Sequence, residues 1–157
     1  MDAYSGEDAA ARNLYKSLLG AWNERDADVF SSLFARNGTV IGYDGSQASG
    51  PEGIRTHLTP IFRDHPTARY VAHVTEVRAL REGIVLLRAS AGMVPPGASE
   101  LNPAVNTLHT LIAEVRGDLW RIALFQNTPA QLHGRPELVD EHTALLAPLV
   151  ASGVTVE

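Results

Sequence analysis

Hydrophobic positions along this chain change period once, from steps of three and four in the first third to steps of two in most of the remainder. Leu14, Leu18, Ala21, Trp22 and Arg25 recur at helical spacing and predict a helix from about Glu7 to Arg25. Asp26 has the residue type of an N-cap. A short second helix follows it, with Val29, Phe30, Leu33 and Phe34 on its apolar side. Asn37-Gly38 marks a turn, Thr39 to Tyr43 reads as a short strand, and Asp44-Gly45 closes that strand. Ser49-Gly50-Pro51-Glu52 opens a third helix, with proline at its first position and an acid in its first turn. Its stripe is Ile54, Leu58, Ile61 and Phe62, and Pro60 is expected to kink or shorten it.

From Arg69 onward the pattern is that of strands. Arg69 to Leu80 and Ile84 to Val94 flank the tight connection Arg81-Glu82-Gly83. After a Pro/Gly-rich loop at 95–103, Ala104 to Val115 and Leu119 to Thr128 flank Arg116-Gly117-Asp118. Four long antiparallel strands after a helix-helix-strand-helix start predict an α+β domain. A last helix restarts near Pro136 and runs to about Leu146. The single domain is thus expected over 5–147, with a frayed C-terminal tail at 148–157. The strands are apolar on both faces, Val85 and Leu87 on one and Ile84 and Leu86 on the other. The helices can cover only one of these, burying Trp22, Phe30, Phe34, Ile54 and Leu58. The other face calls for a partner, and a sheet-to-sheet homodimer is the economical one.

Composition narrows the function classes. The 157 residues suit one domain with a full core. Net charge is −5 with no basic block, which argues against a nucleic-acid partner. No apolar run is long enough for a bilayer, so no membrane association is expected. Met1 to Asp8 has neither the basic nor the apolar region of a signal peptide, and the chain lacks cysteine. Both fit a cytoplasmic location. Lys16 is the one lysine among 13 basic residues, leaving little scope for Schiff-base chemistry. Gly42, Gly45 and Gly50 form no phosphate loop, and no dinucleotide fingerprint occurs; no cofactor is expected. His57, His65, His73, His109, His133 and His142 lack metal-ligand spacing, so no metal is expected either.

Candidate chemistry concentrates in the last strands. Gln126 and Asn127 end an apolar run, and strand alternation points one amide to each side. A buried amide needs a hydrogen-bond partner, which protein or ligand can supply. His109, within the apolar segment Asn106 to Ala113, is a candidate general acid/base near neutral pH; its plain alternative is a structural strand histidine or one at a dimer interface. His73 could meet it across the sheet. Trp22, Phe30, Tyr43, Tyr70 and Met93 suit the walls of a pocket for a flat or polyene-like hydrophobic ligand, and equally suit an ordinary core. Asn106 could orient a carbonyl, or could cap a turn in its proline loop. Asp44 is a second candidate base, although Asp-Gly most commonly means a turn.

The element order and the segments Trp22-Asn-Glu-Arg-Asp-Ala-Asp28, Gly50-Pro-Glu-Gly-Ile54 and Trp120-Arg-Ile122 resemble the nuclear transport factor 2-like superfamily over about residues 5 to 130. That likeness implies a cone-shaped curved sheet covered by N-terminal helices. A narrower set looks like the SnoaL-like SgcJ/EcaC family: Phe62-Arg-Asp-His-Pro-Thr-Ala-Arg-Tyr70, Gly92-Met-Val-Pro-Pro-Gly97, Leu101-Asn-Pro-Ala-Val-Asn106, Phe125-Gln-Asn-Thr-Pro-Ala130 and Gly134-Arg-Pro136. Some members of that family lie beside enediyne polyketide synthases. The resemblance implies a homodimer with one pocket per subunit and a role in secondary metabolism, binding or converting a polyketide or polyene intermediate. Cofactor-free proton transfer or cyclisation is the reaction class expected, with an accessory subunit of a polyketide synthase pathway as the alternative. Members are often labelled oxidoreductases, but no cofactor motif in this chain supports that label. In ketosteroid isomerases of the superfamily the base is an aspartate placed similarly to Asp44. The isomerase's helix-1 tyrosine and strand acid have no obvious counterparts, since Leu18 and Leu111/Ile112 fall near those positions. SnoaL-type cyclases carry an aspartate in the last strand, where this chain has Gln126 and Asn127.

Overall fold

In the computed structural model, which describes residues 6–157, the predicted helices and strands follow one another in the predicted order, with a short strand and a 3-10 turn added and several boundaries moved. Residues 1–5, with the predicted domain start and part of the leader reading, lie outside the described residues. Helices α1 (Gly6–Asn23) and α2 (Ala27–Ser32) are joined by a turn in which Asp26 caps α2, its carboxylate accepting from Val29 N at 3.0 Å. Strand β1 (Phe34–Ile41) starts five residues earlier than the periodicity indicated, so Phe34 belongs to a strand and not to the second helix. The reason is tertiary. β1 pairs in parallel with β6 (Leu119–Pro129), and its register shifts between Phe34 and Thr39. Gly38 sits in that irregularity so close to the Ile122 carbonyl that a Cβ would collide with it.

A short strand β2 (Gln47–Ser49), absent from the sequence-based elements, folds back on β1. Helix α3 (Gly50–Asp64) runs through Pro60 without ending there. Strands β3 (Arg69–Arg81), β4 (Ile84–Val94) and β5 (Thr107–Arg116) then form an antiparallel meander with β6. The six-stranded order is β2-β1-β6-β5-β4-β3. A 3-10 turn at Pro103–Val105 precedes β5.

The sheet curves into a cone whose concave face receives α1, α2 and α3. Its core contains Tyr15, Leu18, Phe30, Phe34, Ile54 and Leu58 against Val85, Leu87, Leu111, Ile122 and Phe125. Arg25, placed on the α1 stripe by its spacing, is exposed, and Trp22 is only half-buried. On the convex face helix α4 (Pro136–Ser152) covers one end through Leu146 and Leu149 against Val71. Gly92 makes this approach feasible, since a Cβ there would stand 2.9 Å from both Leu101 and Leu146 side-chain carbons. The helix continues past Pro148 to a left-handed Gly153. The last residues then pair with the free edge of β3, Ala72 N donating to Thr155 O at 2.8 Å and Val74 N to Glu157 O at 2.7 Å. Edge pairing thus holds a segment expected to fray. Among the described residues no helix is long and apolar enough to cross a membrane.

Candidate functional site

Inside the cone is a cavity of about 320 Å³. The three N-terminal helices and the sheet contribute to it: Trp22 from α1, Phe30 from α2, Tyr43, Asp44 and Ser46 from the turn after β1, His57, Leu58 and Ile61 from α3, and Tyr70, Met93, Phe125 and Asn127 from the strands. Its walls are mainly carbon, and Trp22 organises them, with edge-on contacts to Phe62 and Tyr70 at centroid distances of 5.0 and 5.7 Å. Buried Tyr70, Phe125 and Asn127 form its deep end. Exposed Asp44 with half-buried Tyr43, Ser46 and His57 forms its mouth.

The deep end is polar in a directed way. Asn127 lies opposite His109 across β5 and β6, on the concave face. Its Nδ2 donates to the Tyr70 hydroxyl at 2.6 Å, and its Oδ1 meets the Thr107 hydroxyl, which also contacts the Thr128 carbonyl at 2.8 Å. The Asn127 amide is therefore spent on protein partners. The Tyr70 hydroxyl accepts this one bond, and among the described residues no acceptor takes its own proton. Burial pushes the Tyr70 phenol up to about 12, with the Asn127 bond opposing part of that rise, so it stays a protonated donor at neutral pH. Its backbone is clamped as well, because Asn23 at the end of α1 accepts from Tyr70 N at 2.8 Å and donates to Tyr70 O at 3.0 Å.

His109 stands behind this wall rather than on it. It is 1% exposed, packed edge-on against Tyr15, Tyr70 and Phe125, and its Nδ1 lies 2.7 Å from the Tyr15 hydroxyl. Burial drives its pKa down to about 3. The nearby Asn127 amide opposes this slightly, although Nε2 makes no hydrogen bond of good geometry. Burial likewise keeps Tyr15 protonated. The pair is a neutral phenol against a neutral imidazole, an arrangement that braces the wall but holds no proton ready for exchange near pH 7.

Three other expected site residues fall elsewhere. His73 pairs with Ser90 on β4, whereas His109 pairs with the next residue, Ala89. Alternation therefore puts the two imidazoles on opposite faces of the sheet. Gln126 points to the convex side, its amide near Thr128 Oγ1 at 3.4 Å. Asn106 is buried but ties the start of β5 to α4, donating to Thr143 Oγ1 at 3.0 Å. Trp22, Phe30, Tyr43, Asp44, Tyr70, Met93 and Asn127 are the expected residues that line the cavity. Asp44 also makes the turn that its Asp-Gly pairing suggested. Its Oδ1 accepts from Ser46 Oγ at 2.6 Å and Ser46 N at 2.9 Å, and these bonds hold the carboxyl below its ordinary pKa, with His57 adding a smaller pull.

Sequence reasoning missed Tyr15, Asn23, His57 and Thr107. Signals existed for two of them. Ala11, Tyr15, Leu18, Leu19 and Trp22 form a helical stripe one step round from the one chosen, and His57 lies three residues after Ile54 and four before Ile61. Asn23 and Thr107 act only through partners 47 and 20 residues away, and no local pattern marks them. Among the described residues no three His, Cys, Asp or Glu side chains come together as a metal site.

No family model matches the sequence, and no curated protein does either. Solved structures do match in shape. A domain of unknown function with a cystatin-like fold from Nostoc punctiforme superimposes with a TM-score of 0.77 at 20% identity, over 96% of this chain and 94% of that one. A ketosteroid isomerase-like protein from Erwinia carotovora atroseptica matches with a TM-score of 0.63 at 13% identity, covering 81% and 98%. An NTF2-like protein of unknown function from Pseudomonas putida also reaches 0.63 at 13% identity, covering 80% and 87%. At such identities the likeness speaks for the fold alone: this chain has the cystatin-like, NTF2-like α+β cone.

Proposed function

We propose that the cone binds a flat, largely apolar small molecule bearing a carbonyl oxygen, of the polyketide or polyene type found in enediyne pathways. The observation that carries this is the Tyr70 hydroxyl, whose uncommitted proton stands at the deep end of an apolar cavity. A neutral phenol in a low-dielectric wall is a strong donor to a carbonyl and stabilises negative charge developing there. Asn127, Thr107 and His109 brace that donor. Asp44, ionised at the mouth, is the base candidate for cofactor-free proton transfer or cyclisation. The likeness to a ketosteroid isomerase-like protein supports a small-molecule cavity of this kind.

The second reading is an accessory protein that holds a pathway intermediate for a polyketide synthase without converting it. What favours it is His109, which is neutral and shut behind the wall, and so withdraws one of two catalytic candidates. Both readings place the protein in the cytoplasm as a homodimer joined through the convex sheet face.

Calorimetric titration with 2-acetylnaphthalene, a flat apolar ketone, tests the cavity. Tyr70→Phe should weaken its binding by about three- to tenfold, the worth of one hydrogen bond, and leave 2-ethylnaphthalene binding unchanged. Equal loss for both probes would show that Tyr70 acts only through packing.

A further inference from the structure

The deep end accounts for one oxygen of a ligand, and the mouth holds a second set of polar groups. Asp44, Ser46 and His57 line it, from the turn after β1 and from the middle of α3. Both Ser46 bonds fall on Asp44 Oδ1, so the carboxylate is held in one orientation with Oδ2 uncommitted. The His57 side chain is half-buried beside it and makes no hydrogen bond to any described residue. Between the two ends the walls are Trp22, Phe30, Leu58, Ile61, Met93 and Phe125. The titratable side chains that line the cavity with His57 are Asp44, Tyr43 and Tyr70. Neither lysine nor arginine lines it, so its chemistry suits an uncharged molecule.

We propose that His57 and Asp44 form a second polar subsite, which takes a hydroxyl or enol group of the same ligand whose carbonyl meets Tyr70. This rests on the cavity reading above and deepens it. A hydroxyl both donates and accepts, and a carboxylate beside an imidazole can answer both functions, whereas the Tyr70 hydroxyl, which already accepts from Asn127, offers its proton alone. The substrate class is therefore an apolar, flat body oxygenated at both ends, such as a hydroxylated aromatic or polyenyl ketone.

The test compares 6-hydroxy-2-acetylnaphthalene with 2-acetylnaphthalene by calorimetry on the full chain at pH 7. The hydroxylated probe should bind wild type about fivefold more tightly than its parent, within the range of one hydrogen bond. His57→Gln and Asp44→Asn should each remove that preference, so that each variant binds the two probes with equal affinity. Both positions lie at the mouth, where substitution leaves the core untouched, and if one variant fails to fold the other carries the result. Equal affinity of wild type for the two probes overturns the subsite and leaves the Tyr70 reading standing. So does a hydroxyl preference that survives both substitutions. If 2-acetylnaphthalene itself does not bind, the cavity reading fails and the subsite with it.

Discussion

The two faces of the sheet are built from similar residues and end in different states. On β4, Val85, Leu87, Ala89 and Ala91 point into the cone and are buried. Ile84 and Leu86 point out and stay half-exposed, with Leu108 of β5, 47% exposed, on the same side. On β6, Asn127 joins the wall of the cavity, while Gln126 meets little but Thr128 near the surface. The difference arises from the helices. Three of them close the concave face and leave a hollow near its edge, whereas α4 covers one end of the convex face. Face, rather than residue type, decides whether an apolar or polar group here is buried in the core, lines the cavity or stays near the surface.

The sharpest way to break this comparison is a pair of truncations on neighbouring residues. Leu87→Ala should destabilise the fold by about 2–5 kcal/mol in urea denaturation, as for a fully buried leucine. Leu86→Ala should cost less, about 1–2 kcal/mol in the isolated chain, since its side chain is only partly withdrawn from solvent. If the convex face joins two copies, Leu86→Arg should instead lower the sedimentation mass at micromolar concentration from dimer to monomer. Equal urea midpoints for Leu87→Ala and Leu86→Ala would mean that both faces are covered alike.

The amide pair gives a smaller contrast. Asn127→Leu takes the donor from the Tyr70 hydroxyl and leaves the Thr107 hydroxyl only the Thr128 carbonyl, which should cost about 1–3 kcal/mol. Gln126→Leu should stay within about 0.5 kcal/mol. A similar loss for both would place Gln126 in an interface.

Acid stability probes the same wall more gently. His109 has a folded pKa of about 3, below the 6.5 of an unperturbed imidazole. Between those values the unfolded chain binds a proton that the folded chain does not, so this residue makes stability fall as pH falls. The slope it contributes is up to about 1.4 kcal/mol per pH unit. Above pH 6.5 both states are neutral there and the contribution is flat. His109→Phe should remove this part of the slope in denaturation curves taken between pH 4 and 7; an unchanged slope would mean that His109 takes up a proton in the fold.

Long periodic segments were readable in advance because their local pattern and their tertiary environment agree. Ile54 and Leu58 on α3 and the alternation of β4 are examples. Phe34 was misread because its helical spacing after Phe30 is genuine, yet pairing with β6 outweighs it. The cavity was partly readable: its aromatic walls follow from residue type and from family likeness, as does Asp44. His73 and Asn106 were misplaced because residue type says nothing about which face of a strand meets which helix.

By itself the sequence determined the α+β order, the period of each element and the fact that Gln126 and Asn127 must point opposite ways, since these depend on spacing along one chain. Only the tertiary structure decided which of the two amides faces the cone, that Asn127 spends its bonds on Tyr70 and Thr107, and that His109 rests against Tyr15 on α1. Those contacts join residues 57, 20 and 94 positions apart. They are set by how β5 and β6 register with one another and by which side of the sheet the helices close, and no local pattern along the chain encodes either.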